Sequence, residues 1–240
     1  MINNKEITPV IEAREISKSY LGAEVLKRVS LNIFPEEFVL IAGHSGSGKT
    51  TLLNMLSATD KPDEGSVVVN GRDITSLSDK QRTAYRSESG LIFQRSGLLG
   101  GMTAQENIMR VHELADRPID FEWLDYVVQE LSISALMNKR ASQMSGGQAQ
   151  RIGIARALAH QPHLIFADEP TASLDDESTH DVHHVLRNVV DHSKASVVMV
   201  SHDPISRDYV DGIFTMNDGI IKDFENTTPL PRQNILKEAV

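Results

Sequence analysis

Gly43-His44-Ser45-Gly46-Ser47-Gly48-Lys49-Thr50 is the stretch from which the rest of the chain can be laid out. It fits G-x-x-x-x-G-K-[ST], a phosphate-binding loop. Phe38-Val39-Leu40-Ile41-Ala42 before it is a continuous apolar run and reads as a buried strand. Thr51-Leu52-Leu53-Asn54-Met55-Leu56 after it has helical spacing and neither Gly nor Pro. Strand, Gly-rich turn and helix start are the context this motif needs. Glycines let backbone N–H groups curl around phosphate oxygens, and a helix N-terminus adds partial positive charge. Lys49 is expected to reach the β- and γ-phosphates, and the Thr50 hydroxyl to bind Mg²⁺. A Gly-rich turn with a chance lysine is the bland alternative; the agreement of every required position and both flanks sets it aside.

Outward from the loop, strands and helices alternate. Val10–Ile16 and Ser30–Phe34 read as strands, with Tyr20 in a polar loop between them. Asp63-Glu64-Gly65 reads as a turn, Ser66–Val69 as a strand, and Asn70-Gly71 as a hairpin signal. Leu77–Arg86 is expected to be a helix, and Leu91-Ile92-Phe93 a short buried strand ending at Gln94. From Arg95 to about His160 the pattern is helical. Phe121, Leu124, Val128 and Leu131 mark one helix face, read as core. Buried strands return at Leu164–Ala167 and Ala195–Val200, with Val182, Val185, Leu186 and Val189 on a helix between them. Gly212–Met216 begins a terminal hairpin. This alternation indicates an α/β fold with a mostly parallel sheet. Residues 1 to about 9 and the tail after about Glu225 are polar and expected to be loosely held.

The 240 residues suit one α/β domain with room for a subdomain, and 40% hydrophobic residues suffice for a sizeable core. The net charge of −9 argues against a nucleic-acid partner, which would need a basic face. No cysteine is present, so disulfide and thiol chemistry are excluded. No apolar run approaches the roughly 18 residues of a membrane span. Met1–Glu6 lacks the apolar core of a signal peptide. The chain is therefore expected in the cytoplasm, reaching any membrane through a partner.

Two further stretches carry chemistry. Asp168-Glu169 follows the apolar run Leu164–Ala167. An acid at a strand end is ordinary in loops, but behind a phosphate loop Asp168 is expected to hold Mg²⁺ opposite Thr50. Glu169 is then placed to polarise the attacking water. Ser145-Gly146-Gly147-Gln148 precedes the helical run Ala149–Leu158. Ser145 and Gln148 have capping-box spacing. A cap does not need two glycines, which are costly in a first turn. They let a phosphate approach a second helix N-terminus. His180 and His184, four apart, have a spacing that could hold a metal. With no carboxylate or cysteine framework, His180, His183 and His184 are read as a solvated face.

Met144-Ser145-Gly146-Gly147-Gln148 resembles the LSGGQ signature of ATP-binding cassette (ABC) proteins. The other motifs agree in order over residues 10 to 222. Tyr20 stands where the family has an aromatic that stacks on adenine; a half-buried structural tyrosine is the alternative. Gln94 resembles the Q-loop glutamine, Leu164–Glu169 the Walker B strand with the catalytic glutamate, and Ser173-Leu174-Asp175 the D-loop. His202 resembles the switch histidine that contacts the γ-phosphate. Met144 for leucine conserves volume. Ala141 stands where many relatives have proline, which touches only local loop shape.

The resemblance implies a P-loop NTPase (RecA-like) core over about 10–95 and 160–225, with an antiparallel β subdomain. A helical signature subdomain over 96–159 and a polar tail over 226–240 complete the expected division. It also implies that ATP is bound by Tyr20, Gly43 to Thr51 (Gly43, His44, Ser45, Gly46, Ser47, Gly48, Lys49, Thr50, Thr51) and Gln94. Mg²⁺ would be held by Thr50, Gln94 and Asp168, and catalysis would rest on Glu169, His202 and Lys49. Ser145, Gly146, Gly147 and Gln148, beside Asp175, would act on the ATP of a second chain. The partners implied are an identical or paired cassette and an integral membrane permease, with the protein peripheral on the inner face of the cell membrane. Within the family, the pattern looks closest to the lipoprotein-releasing, macrolide-exporting and cell-division ATPases. One reading is an ATPase subunit of a transporter; the other is a module that transmits movement to a membrane protein without pumping. Arg95–Met102 leaves two readings open, a docking groove for the membrane partner and a core connector. A soluble ABC protein of nucleic-acid work is disfavoured, since there is one cassette and no basic linker.

Overall fold

The computed structural model describes residues 8–115, 118–227 and Pro229; for 113–115 it describes the backbone only. The termini expected to be loosely held lie mostly outside these residues. Three strands and a helix come first: β1 (Ile11–Tyr20), β2 (Ala23–Ile33), β3 (Phe38–Ala42) and α1 (Lys49–Leu56). A short hairpin of β4 (Glu64–Val69) and β5 (Arg72–Asp73) follows, then α2 (Asp79–Glu88) and β6 (Gly90–Ile92). Three helices come next: α3 (Ala104–Ala115), α4 (Phe121–Glu130) and α5 (Gly146–Leu158). The chain returns through β7 (Leu164–Asp168), α6 (Asp176–Ser193) and β8 (Ser196–Val200), and closes with β9 (Gly212–Asn217) and β10 (Ile220–Asn226).

The strands form two sheets. One has the order β2-β1-β4-β5 and is antiparallel; the other has the order β10-β9-β3-β8-β7-β6. In the second, β9, β3, β8, β7 and β6 run parallel and only β10 turns back. β3, β7 and β8 are buried almost throughout, as the continuous apolar runs require when both faces of a parallel sheet are covered. Side chains alternate between the faces. Phe38, Leu40, Ile165, Ala167, Val197 and Met199 join the core beneath α3 to α6. Val39, Ile41, Leu164, Phe166, Val198 and Val200 join the core beneath α1 and the antiparallel sheet.

Parallel strands put all their carboxyl ends on one edge. The phosphate loop leaves β3 there, Glu169 follows β7, and Ser201-His202 follows β8. Gln94 follows β6 two residues on. Four motifs scattered over more than 150 positions thus meet at one rim, where open α/β sheets bind their ligands.

The structure corrects several local expectations. Tyr20 ends β1 and pairs with Ala23 across a two-residue turn, so it is a strand residue. Leu21 and Gly22 both have positive φ there, the geometry of a tight hairpin. Glu64 and Gly65 are strand, not turn. The helix expected from Leu77 begins at Asp79, because the Ser78 hydroxyl accepts the Gln81 N–H and caps it. Phe93 lies beyond β6 and is exposed. On α4, Leu124 and Val128 are buried, as is Leu131 just after it, but Phe121 is 66% exposed and Val127 takes the core position.

Of His180, His183 and His184 on α6, His180 and His184 are exposed as expected, and only His183 departs from the solvated face. His183 is fully buried: its Nδ1 lies 2.7 Å from the Thr179 carbonyl and its Nε2 3.0 Å from Ser206 Oγ. A carbonyl only accepts, so Nδ1 carries the hydrogen and the Ser206 hydroxyl donates to Nε2. Burial holds the His183 pKa below its ordinary value, consistent with that neutral ring. His180 Nδ1 is 2.7 Å from the Tyr209 hydroxyl, and the His184 ring stands edge-on to Tyr209. They fasten α6 to the turn after β8. No group of three or more metal-binding side chains occurs among the described residues.

Candidate functional site

The phosphate loop is shaped by its glycines and by the turn that clamps it. Gly48 caps α1 with φ +99, a conformation that suits a residue without Cβ. Gly219, in the β9–β10 turn, donates to the Ser47 carbonyl at 3.0 Å and accepts from Lys27 N at 2.9 Å. A Cβ on Gly219 would stand 2.3 Å from the Val25 carbonyl, so only glycine lets this turn approach β2 and the loop.

The start of α1 differs from the other helix starts. Ser78, Asp120, Ser145 and Asp175 each cap a helix through a side-chain oxygen. α1 has no side-chain cap and no acid in its first turn. Its first N–H groups thus have no capping side chain, which is what an anion-binding helix start requires. Lys49 Nζ donates to the Gly43 and His44 carbonyls at 2.9 and 3.0 Å. An ammonium has three hydrogens, so one remains for a phosphate oxygen. The buried Ser47 hydroxyl has no hydrogen-bond partner among the described residues. These features fit a polyphosphate.

The loop opens on a cleft of about 540 Å³. Gly43, His44, Ser45, Gly46, Gly48, Lys49, Thr50 and Thr51 line it together with Gln94, Glu169 and His202. Thr50 Oγ1 donates to Asp168 Oδ1 at 2.9 Å. Burial raises the Asp168 pKa, and the Thr50 bond and Lys49 oppose the rise while Glu169 adds to it. A hydroxyl, a carboxylate and an amide oxygen at one rim suit a hard cation such as Mg²⁺, which is commonly held by few protein ligands plus phosphate oxygens. Glu169 Oε2 lies 2.9 Å from His202 Nδ1. The Glu169 backbone has φ +46, uncommon outside glycine, and its N–H donates to the Val200 carbonyl at 2.9 Å. This conformation turns a 13%-exposed carboxylate toward the cleft that His202 shares.

Tyr20 does not line this cleft. Its hydroxyl donates to Asp60 Oδ2 at 2.6 Å and Lys18 Nζ lies 5.2 Å from its ring centroid. Burial first, then the Asp60 bond, push its pKa up to about 12, so the phenol keeps its proton. Tyr20 is 41% exposed.

Ser145, Gly146, Gly147 and Gln148 line a second cleft of about 380 Å³ with Ser173, Leu174 and Asp175. Ser145 accepts from Gln148 N, and the Gln148 side chain accepts from Ser145 N, both at 3.2 Å. The expected capping box is therefore present. No residue lines both clefts. α5 also grips the chain after β6: Gln150 donates to the Phe93 carbonyl, and Arg156 to those of Ser96 and Gly97. The buried Asn107 amide bonds Leu99 through both its N–H and its carbonyl.

The protein-family model described as ABC transporter matches residues 26–172. The chain belongs to the ABC transporter family. It is 40% identical over 220 residues to the bacitracin export ATP-binding protein BceA of Halalkalibacterium halodurans, covering 88% of this chain and 87% of that one. It is 36% identical over 196 residues to the lipoprotein-releasing system ATP-binding protein LolD of Leptospira interrogans, covering 81% and 83%. A solved dimeric structure of the ATP-binding cassette MJ0796, in a post-hydrolysis state bound to ADP and Pi, superposes with a TM-score of 0.84 at 32% identity. It covers 90% of this chain and 98% of that one.

The chain is an ABC-type ATPase, and the cassette's two clefts contain residues that its motifs alone did not indicate. Val25 lines the first cleft and Arg151 and Ser178 the second. Asn217 and Asp218 reach His44 from the β9–β10 turn. None belongs to a recognisable motif; only the fold brings them in. No helix among the described residues is long and apolar enough to cross a membrane.

Proposed function

We propose that this cassette is the ATP-hydrolysing subunit of a membrane exporter, in which ATP-driven pairing of two cassettes moves a membrane permease. The observation that carries it is the separation of the phosphate loop and the Ser145–Gln148 helix start into two clefts of one chain. A signature that faces no phosphate loop of its own chain can meet one across a two-fold axis. The export and lipoprotein-release names of its relatives support a permease as the second partner.

In this reading Lys49 and the loop N–H groups hold the β- and γ-phosphates. Thr50, Asp168 and Gln94 hold Mg²⁺, which when bound neutralises charge on the phosphate oxygens. Glu169 takes the proton of the attacking water, and His202 contacts the γ-phosphate while it orients Glu169. Ser145 to Gln148, beside Asp175, close the site from the second chain. Loss of the γ-phosphate releases that contact. Gln94, followed by the segment that Arg156 and Asn107 fasten, carries the change to the permease. The protein works from the cytoplasmic face.

Purification of a tagged Glu169→Gln chain from detergent-solubilised membranes with ATP is expected to retain an integral membrane protein. An active ATPase that retains none in any nucleotide state would remove the permease from the proposal.

Tyr20 is proposed to stack on the base. Stacking reads a π-face, so Tyr20→Ala should weaken ATP and GTP binding alike, by about tenfold. Tyr20→Phe loses only the bond to Asp60, which keeps Lys61 N and Lys18 as partners. It should bind ATP as the parent does. Fluorescence titration of the three proteins checks this, and parental affinity in Tyr20→Ala would make the aromatic structural.

A further inference from the structure

His44 lies across the gap between the phosphate loop and the β9–β10 turn. Its Nδ1 is 2.8 Å from the Ser45 carbonyl, and its Nε2 is 2.6 Å from Asn217 Oδ1 and 3.7 Å from Asp218 Oδ1. The Ser45 carbonyl can only accept, so Nδ1 carries a hydrogen. Asn217 Oδ1 also accepts, and a carboxylate stands behind it. A ring with hydrogens on both nitrogens is the imidazolium. These acceptors are set in place, because Gly219 of the same turn is bonded to Ser47 and Lys27. The ring is 55% exposed and lines the phosphate cleft.

We propose that His44 is a second, titratable cation of the phosphate cleft, held by Ser45, Asn217 and Asp218, whose protonation adds to Lys49 in binding the phosphates of ATP. The proposal rests on the reading of this cleft as the nucleotide site. The groups that face the ring are Ser45 of the loop, Asn217 and Asp218 of the turn, and the Lys49 ammonium of α1. The Ser45 bond and then the Asn217 bond raise the His44 pKa above its ordinary value, and Asp218 adds to the rise. Partial burial and Lys49 oppose it. A raised pKa means that the charge is present at low pH and lost as pH rises through the folded value. A polyanion in the cleft favours the charged ring further, so by linkage ATP binds more tightly where His44 is protonated.

ATP dissociation constants for the full chain and for His44→Gln, at about pH 6 and about pH 8.5, test this. Titration of ATP itself is common to both proteins and cancels in the comparison. Between the alkaline buffer and the acid one, the affinity of the parent should rise about fivefold more than that of the variant. Equal pH dependence in the two proteins overturns the proposal. A parent that binds no ATP at either pH counts instead against the cleft as the nucleotide site. A second measurement needs no variant in the binding assay. The His44 ring resonance, assigned by its absence from His44→Gln or from selective labelling, should titrate to higher pH when ATP is added. An ATP-insensitive His44 titration overturns the proposal even where His44→Gln does not fold. Asp218→Asn should move the same titration to lower pH.

Discussion

Glu169→Gln should slow ATP hydrolysis by roughly 10²–10⁴ and leave ATP binding intact, the usual range for loss of a general base. The carboxylate is held from two sides. Its backbone is fixed at φ +46 by the N–H bond to Val200, and its Oε2 is 2.9 Å from His202 Nδ1. Glutamine has the same length and can still hydrogen-bond His202 in the matching tautomer. The pair should therefore keep its shape, and Lys49 and the loop, which bind phosphate, are untouched. What glutamine cannot do is accept a proton from water as the oxygen attacks the γ-phosphorus. The variant should then hold ATP, and ATP should hold two chains together. Phosphate release measures the first effect; size exclusion with ATP and Mg²⁺ measures the second. Near-normal turnover in the variant would take Glu169 out of the base role.

The chemistry of this chain was more legible than its local geometry, and the reason is physical. Phosphate binding needs particular residues at fixed spacing, so Gly43 to Thr50 and Ser145 to Gln148 announce themselves in sequence. Buried parallel strands need unbroken apolar runs, so β3, β7 and β8 do too. Boundaries set by pairing are harder. Tyr20 looked like a loop residue because Leu21-Gly22 follows it, yet a two-residue turn leaves it on the strand. Glu64-Gly65 looked like a turn because Gly ordinarily breaks strands; here Gly65 takes a positive φ within β4, where a Cβ would stand 2.4 Å from the Arg14 carbonyl. His183 looked part of a solvated face with His180 and His184 because no carboxylate or cysteine framework accompanies the three. Its burial depends on Ser206, 23 positions away and across the end of β8, which no local pattern reports. The same holds for Val25, Asn217 and Asp218. Val25 reaches the first cleft from β2, and Asn217 and Asp218 reach its loop from the end of β9 and the turn after it, positions fixed by sheet order.

Two inactive proteins, mixed, should give an active one. Suppose one chain carries Lys49→Ala and another carries Ser145→Arg. In a dimer of either alone both sites are broken, the first by loss of phosphate charge and the second by a bulky side chain at the signature. In the mixed dimer one site collects both lesions. The other joins an intact Lys49 to an intact Ser145, and ATPase activity should return to a minority of the parental rate. The structure gives a reason to expect this, since Lys49 and Ser145 line separate clefts of one chain. It also shows a cost of the second lesion. Ser145 caps α5, and its loss should destabilise that helix by about 1 kcal/mol. Thermal melting of each variant therefore accompanies the assay, to show that Ser145→Arg is folded at the assay temperature. Exchange of chains is checked by capture of one tag and detection of the other. Mixed dimers that form, are folded and hydrolyse nothing would defeat either the shared site or the independence of its two halves. Joining the two variants in one polypeptide guarantees one intact composite site without exchange. Activity in the tandem but not in a tandem of two Lys49→Ala cassettes would place the signature on the opposite chain's nucleotide.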